Sequence, residues 1–244
     1  MNYMSRYRIA LSILILSLLL TGCVAPPALS SGEGPSTEDM TFDQLAQTDF
    51  NRTVTVAMRD NLDSLTRLME KLYRRNPREW RKSGAATLEA AIAEGNTAIQ
   101  NGRTPKDLHG LRDIQILSVA LDPQYQGDRV SAFILGLADM VIQSHGGKTR
   151  FYVSDVLDAR HVYNAARNVE IAAWLLSSRR NSDGTPLLLA NEMTPDVTNL
   201  SFEREFGQMV GRLDLVANLL DENVRRVGIN YMQGLLFFNF LPVR

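Results

Sequence analysis

Asp139 sits inside Ala132-Phe-Ile-Leu-Gly-Leu-Ala-Asp-Met-Val-Ile142, where nearly every neighbour is apolar. A helix apolar on most sides is buried, and a buried carboxylate without a partner costs several kcal/mol or takes up a proton. The stretch that follows, His161 to Trp174, offers partners in helical register. Tyr163, Arg167, Glu170 and Trp174 recur at spacings of four, three and four and form one stripe. His161, Asn164 and Asn168 form a second, beside an apolar stripe of Val162, Ala166, Val169, Ala173 and Leu176. Two arrangements follow. One is a polar pocket between two helices, with Arg167 clamping an anion and Glu170 or Asp139 moving a proton. The other is a buried network in which Arg167 pairs with Asp139 or Glu170 and fixes the register of the helices. A hydrolase built here would use Asp139, Glu170 and His161 as its acid/base set.

Other reactive types are sparse. The three histidines, His109, His145 and His161, share no ligand spacing, so no metal is expected. His145-Gly146-Gly147-Lys148-Thr149 lacks the first glycine of a phosphate loop and reads as a turn, with His145 as an imidazolium on a helix C-terminus. No G-x-S-x-G or S-x-x-K nucleophile motif occurs, and nothing points to a cofactor. Tyr73 to Lys82 concentrates five basic residues with Tyr73 and Trp80; it is either a solvated helix end or a patch for phosphate-bearing partners. With 26 basic and 27 acidic side chains in 244 residues, the chain lacks the basic excess that nucleic-acid binding needs.

The N-terminus carries a different signal. Arg6 and Arg8 precede an apolar run from Ile9 to Leu20, then Thr21 and Gly22, which is the layout of a secretory signal peptide. The run is too short to cross a bilayer as a helix. Leu20-Thr21-Gly22-Cys23 resembles the lipobox of bacterial lipoproteins at all four positions. The resemblance covers the first 23 residues only. It implies that 1–22 are removed, that Cys23 is acylated and becomes the mature N-terminus, and, with Val24 next, that the anchor is in the outer membrane. Several acyl chains hold a protein to a membrane where one does not. The segment 23–40, with Pro26, Pro27 and Pro35, has no apolar period and reads as a flexible tether. The partners expected are therefore the membrane, through Cys23, and other envelope proteins facing the periplasm.

Residues 41–244 read as a single all-α domain, a compact bundle of six or seven amphipathic helices. Val54, Met58, Leu62, Leu65, Met69 and Leu72 mark one helix, which should stop near Arg75. Asn76-Pro77-Arg78-Glu79 has the form of a capping box. Thr87 opens the next helix, Thr104-Pro105-Lys106-Asp107 another, and Asp128 caps the apolar one, which Gly146-Gly147 ends. Ser154 or Asp158 starts the helix that bears Arg167. Ser201 caps the clearest of all, with Phe202, Phe206, Met209, Leu213, Val216, Leu220, Val224 and Val227 on one face. Thr149–Val153 and Leu187–Ala190 are short strand candidates. Ile229 to Leu241 is apolar on most faces, as a core element, an interaction surface or a wall for a lipid-like ligand would be. The function expected is that of a non-enzymatic envelope scaffold or accessory factor. A small-molecule or lipid-binding module is the alternative, with the hydrolase third.

Overall fold

The computed structural model describes the backbone of residues 48–193 and 198–238, and the side chains of 48–192 and 198–222. The signal segment 1–22, Cys23, the tether 23–40 and the side chains of the apolar stretch at 229–241 lie outside it. Among the described residues the architecture is an all-α bundle of seven helices. They are α1 (Asp49–Arg75), α2 (Pro77–Lys82), α3 (Leu88–Gln100), α4 (Asp113–Ala120), α5 (Arg129–Ser144), α6 (Ala159–Ser178) and α7 (Ser201–Phe238). A two-residue antiparallel pair, β1 (Glu192–Met193) with β2 (Thr198–Asn199), precedes α7. No described helix is long and apolar enough to cross a membrane.

The long helices bury the stripes that their spacing dictates. All six apolar positions of the α1 stripe are buried, as are Phe202, Phe206, Met209, Leu213, Val216 and Leu220 of α7. Helix α5 is the hub: eleven consecutive residues, Ala132 through Ile142, are buried, as are Arg129 and Val130 before Ser131. Phe133 of α5 meets Phe206 of α7 edge to face, with centroids 6.4 Å apart. The α1–α7 seam is polar where the apolar stripes end. Arg212 donates to the buried Asn61 and Ser64, and Glu205 holds Arg67 at 3.1 Å.

Most helix ends follow the sequence. Thr48, Thr87, Asp128 and Asp158 each accept a first-turn amide proton, and Gly146 and Gly147 take left-handed φ of 71° and 75° after α5. Four expectations need correction. The capping box at 76–79 does not close. Asn76 instead clamps the strand-like segment before β1, accepting from Leu189 N (2.8 Å) and donating to Leu189 O (2.9 Å). Glu79 accepts from Arg129 N at the start of α5, where the helix dipole favours a carboxylate. Thr104–Asp107 opens only a single 3₁₀ turn (Lys106–Leu108), and Asp107 accepts the Tyr125 hydroxyl. Helix α4 begins later, at Asp113.

His145 does cap α5, with its ring buried instead of solvated. It is 1 % exposed, burial pushes its pKa down, and its Nδ1 faces the Val141 carbonyl at 2.8 Å. Neither strand candidate forms a sheet. Thr149–Val153 is a connection whose Phe151 plugs the core beside His145, with its amide held by Thr55 Oγ1. Leu187–Ala190 buries Leu187, Leu188 and Ala190; Leu187 N donates to the Arg179 carbonyl, and Asn76 holds Leu189, without a strand forming.

Candidate functional site

Helix α6 has three faces. Val162, Ala165, Ala166, Val169, Ala172, Ala173 and Leu176 are buried, and their small size lets α7 lie close along the helix. The second face carries the stripe read from sequence. Arg167 reaches Asp214 of α7 at 2.7 Å and Glu170 at 3.2 Å, with its guanidinium 5.1 Å from the Tyr163 ring centroid. Tyr163 is half exposed and Trp174 is 65 % exposed. His161 and Asn164 lie on exposed positions. This is a surface ion-pair cluster bracing α6 against α7, and not an interhelical pocket.

Asp139 does not join it. The carboxylate is 1 % exposed and faces the other way, toward the start of α4. Arg112 grips it with two hydrogen bonds, Nε to Oδ2 at 3.0 Å and Nη2 to Oδ1 at 2.6 Å, and Asp113 N adds a third at 2.8 Å. The partner of Asp139 is therefore Arg112, a loop residue 27 positions upstream, and not Arg167. The pairing is a fork-to-carboxylate contact that also pins Asp113, whose φ of 41° is left-handed without the freedom of glycine. Asp139, Glu170 and His161 are thus not assembled as an acid/base set. The first is sealed against α4, and the other two stand on the solvent side of α6.

The far end of α4 is tied down just as firmly. Arg129, buried at the start of α5, donates to the carbonyls of Ala120 (2.5 Å), Asp122 (2.7 Å) and Tyr125 (3.0 Å). Between the two ties α4 lies on Gly136 of α5, where a Cβ would meet Ile116 at 3.0 Å. Glycine permits that approach. Helix α4 is thereby a fixed wall, and α6 is the opposite wall of a groove.

The groove has a volume of about 500 Å³. Ile114, Leu117 and Leu121 line it from the α4 side, and Ile171, Ala172 and Leu175 from α6. Ile114 is 53 % exposed and Ile171 is 54 % exposed. Trp174 stands about one turn further along α6 than Ile171. Two charges mark the groove's polar positions, Asp122 and Arg179. Asp122 already accepts from Gln124 N, whereas the Arg179 guanidinium makes no hydrogen bond or ion pair among the described residues. Asn168 adds an amide to the lining. A trough whose aliphatic side chains are interrupted by Ser118, Asp122, Asn168 and Arg179 is suited to holding an amphipathic segment.

Arg112, Asp214 and Ile171 were not singled out by sequence. Arg112 carries no local signal for its role, since the contact spans a loop and a helix. Ile171 had one: it is an aliphatic residue between Glu170 and Ala172, off the apolar stripe of its own helix. Among the described residues no three His, Cys, Asp or Glu side chains gather as a metal site. Comparison with family models, with curated proteins and with solved structures gives no match to this chain.

Proposed function

We propose that this chain is a non-enzymatic envelope lipoprotein, anchored to the outer membrane through acylated Cys23, whose periplasmic domain holds a protein partner in the α4–α6 groove. The lipobox at Leu20–Cys23 supports the anchor. The observation that carries the docking role is the groove itself, with Ile114 more than half exposed on the doubly tied α4 wall and Ile171 more than half exposed on α6 opposite it. Exposed apolar side chains are ordinary singly, but a lined trough of them between rigid helices marks an interaction surface. The occupant is an amphipathic helix of the partner. Helix α4 has eight residues, so its wall is about 12 Å long and matches roughly two turns of such a helix. A carboxylate on that helix would meet Arg179.

The test is recovery of the partner from gently solubilised membranes. Wild-type protein brings down one partner in a fixed ratio, and Arg179→Glu lowers the yield several-fold by opposing the carboxylate. Equal recovery with both proteins, or no partner with either, would refute the docking role.

A further inference from the structure

A second concavity, of about 400 Å³, lies between α1, α3, the start of α5 and the 103–107 loop, and Asp128 lines it. That carboxylate is 9 % exposed and accepts Tyr73 OH at 2.7 Å and Ser131 N at 3.0 Å. No cation lies within ion-pair distance of it among the described residues. Lys82 shares the cavity, yet its ammonium is spent on Glu79 (2.8 Å) and the Gly127 carbonyl (3.1 Å). Glu79 itself adds a like charge nearby.

The fold thus buries a carboxylate beside open space with no cation in ion-pair contact among the described residues; the Lys82 charge offsets only part of the burial. Burial pushes the Asp128 carboxyl up to about 6, with the Ser131 amide and Tyr73 hydroxyl working against the rise. An N-cap needs only a side-chain oxygen, and asparagine supplies one as well as aspartate does. The positive end of α5 and the Lys82 charge offset part of the burial, yet the carboxyl stays raised, so a cation in the cavity would favour its ionised form.

The 103–107 side of the cavity carries both signs of charge, Glu94 and Asp107 as well as Arg103 and Lys106. Arg103 is exposed and makes no side-chain hydrogen bond or ion pair among the described residues, while Lys106 is held by Glu94 at 2.9 Å. Tyr125 donates to Asp107 at 2.5 Å along the wall, and that pair closes over Gly127, where a Cβ would collide with both. A buried carboxylate and a free, exposed guanidinium lining one cavity are complementary to a molecule with an ammonium at one end and a carboxylate at the other. The volume falls in the range of small-molecule pockets.

We propose that this cavity binds a small zwitterion of amino-acid or dipeptide size, its ammonium on Asp128 and its carboxylate on Arg103. The site is separate from the α4–α6 groove and stands or falls independently of it.

Titration calorimetry of the detergent-solubilised full-length protein with alanyl-alanine tests this. Saturable binding is expected in the millimolar range or tighter. N-acetyl-alanyl-alanine, which lacks the ammonium, should bind at least tenfold more weakly. Alanyl-alanine amide and the Arg103→Gln variant should each weaken binding several-fold. Asp128→Asn should abolish binding while keeping the cap. Its folding is checked by stability: the wild type loses stability as pH rises from about 4 to about 6, because the folded state holds a proton there that the unfolded chain has released. Asp128→Asn should flatten that slope and be no less stable than wild type at neutral pH. Absence of saturable binding to alanyl-alanine, equal binding of the acetylated dipeptide, or undiminished binding by a folded Asp128→Asn variant would overturn the proposal.

Discussion

Asp139→Ala is expected to lower the unfolding free energy by about 2–4 kcal/mol. The variant loses two hydrogen bonds from Arg112 and one from the Asp113 amide. Hydrogen bonds to charged groups contribute about 1.5–3 kcal/mol each when fully desolvated. The total is discounted here because the Arg112 side chain is 52 % exposed and recovers water once released. The Asp113 amide and its left-handed backbone have no such compensation, so the start of α4 should loosen. Urea unfolding of wild type and variant at one pH measures the loss, read as a shift in midpoint at constant slope. Asp139→Asn should fall between the two, since an amide keeps the Asp113 contact but cannot accept both arms of the guanidinium. Hydrogen exchange should locate the loosening in α4, whereas α1 and α7 keep their protection. A loss below about 0.5 kcal/mol would mean that Asp139 is not the tie described.

Ile171→Asp is expected to leave the fold intact and remove partner binding. The side chain is 54 % exposed, and exposed substitutions away from special features usually change stability by no more than about 0.5 kcal/mol. In the complex the same position would be covered. A charge buried against an apolar helix face without a partner costs about 2 kcal/mol or more, a weakening of about thirtyfold. Quantified co-purification from solubilised membranes, with melting temperature as the fold control, reads both effects. Val156→Asp supplies the comparison, because Val156 is 95 % exposed and does not line the groove. It should change neither quantity.

What the chain made legible was local. The α1 and α7 faces follow from spacing alone, because a repeating apolar stripe can be buried in one way only. Thr87, Asp128 and Asp158 announced helix starts because a short acceptor side chain does the same work wherever it stands. The burial of Asp139 was equally readable, from its apolar neighbours. Its partner was not. Arg112 lies on a loop, its side chain is half exposed, and nothing in its immediate sequence separates it from Arg167, which has better helical spacing and lies on a surface instead. Asn76 and Glu79 mark the same boundary. Their types fit a capping box, yet the segment at Leu189 and the first turn of α5 compete for the same groups and win. Asp128 reads as a cap from its place before the apolar run, and it is one. Its second property, a buried charge beside a cavity, depends on Tyr73 and the 103–107 loop folding over it, which no local pattern encodes.

Site-directed photo-crosslinking at the groove reads the docking role in the cell. A photoreactive residue in place of Ile171 should yield one dominant adduct in intact cells. The adduct should map to a partner segment whose apolar residues recur every three or four positions, with an acidic residue at the end nearest Arg179. The same probe in place of Val156 should yield none. Equal adducts from both positions, or a segment without helical periodicity, would contradict the account.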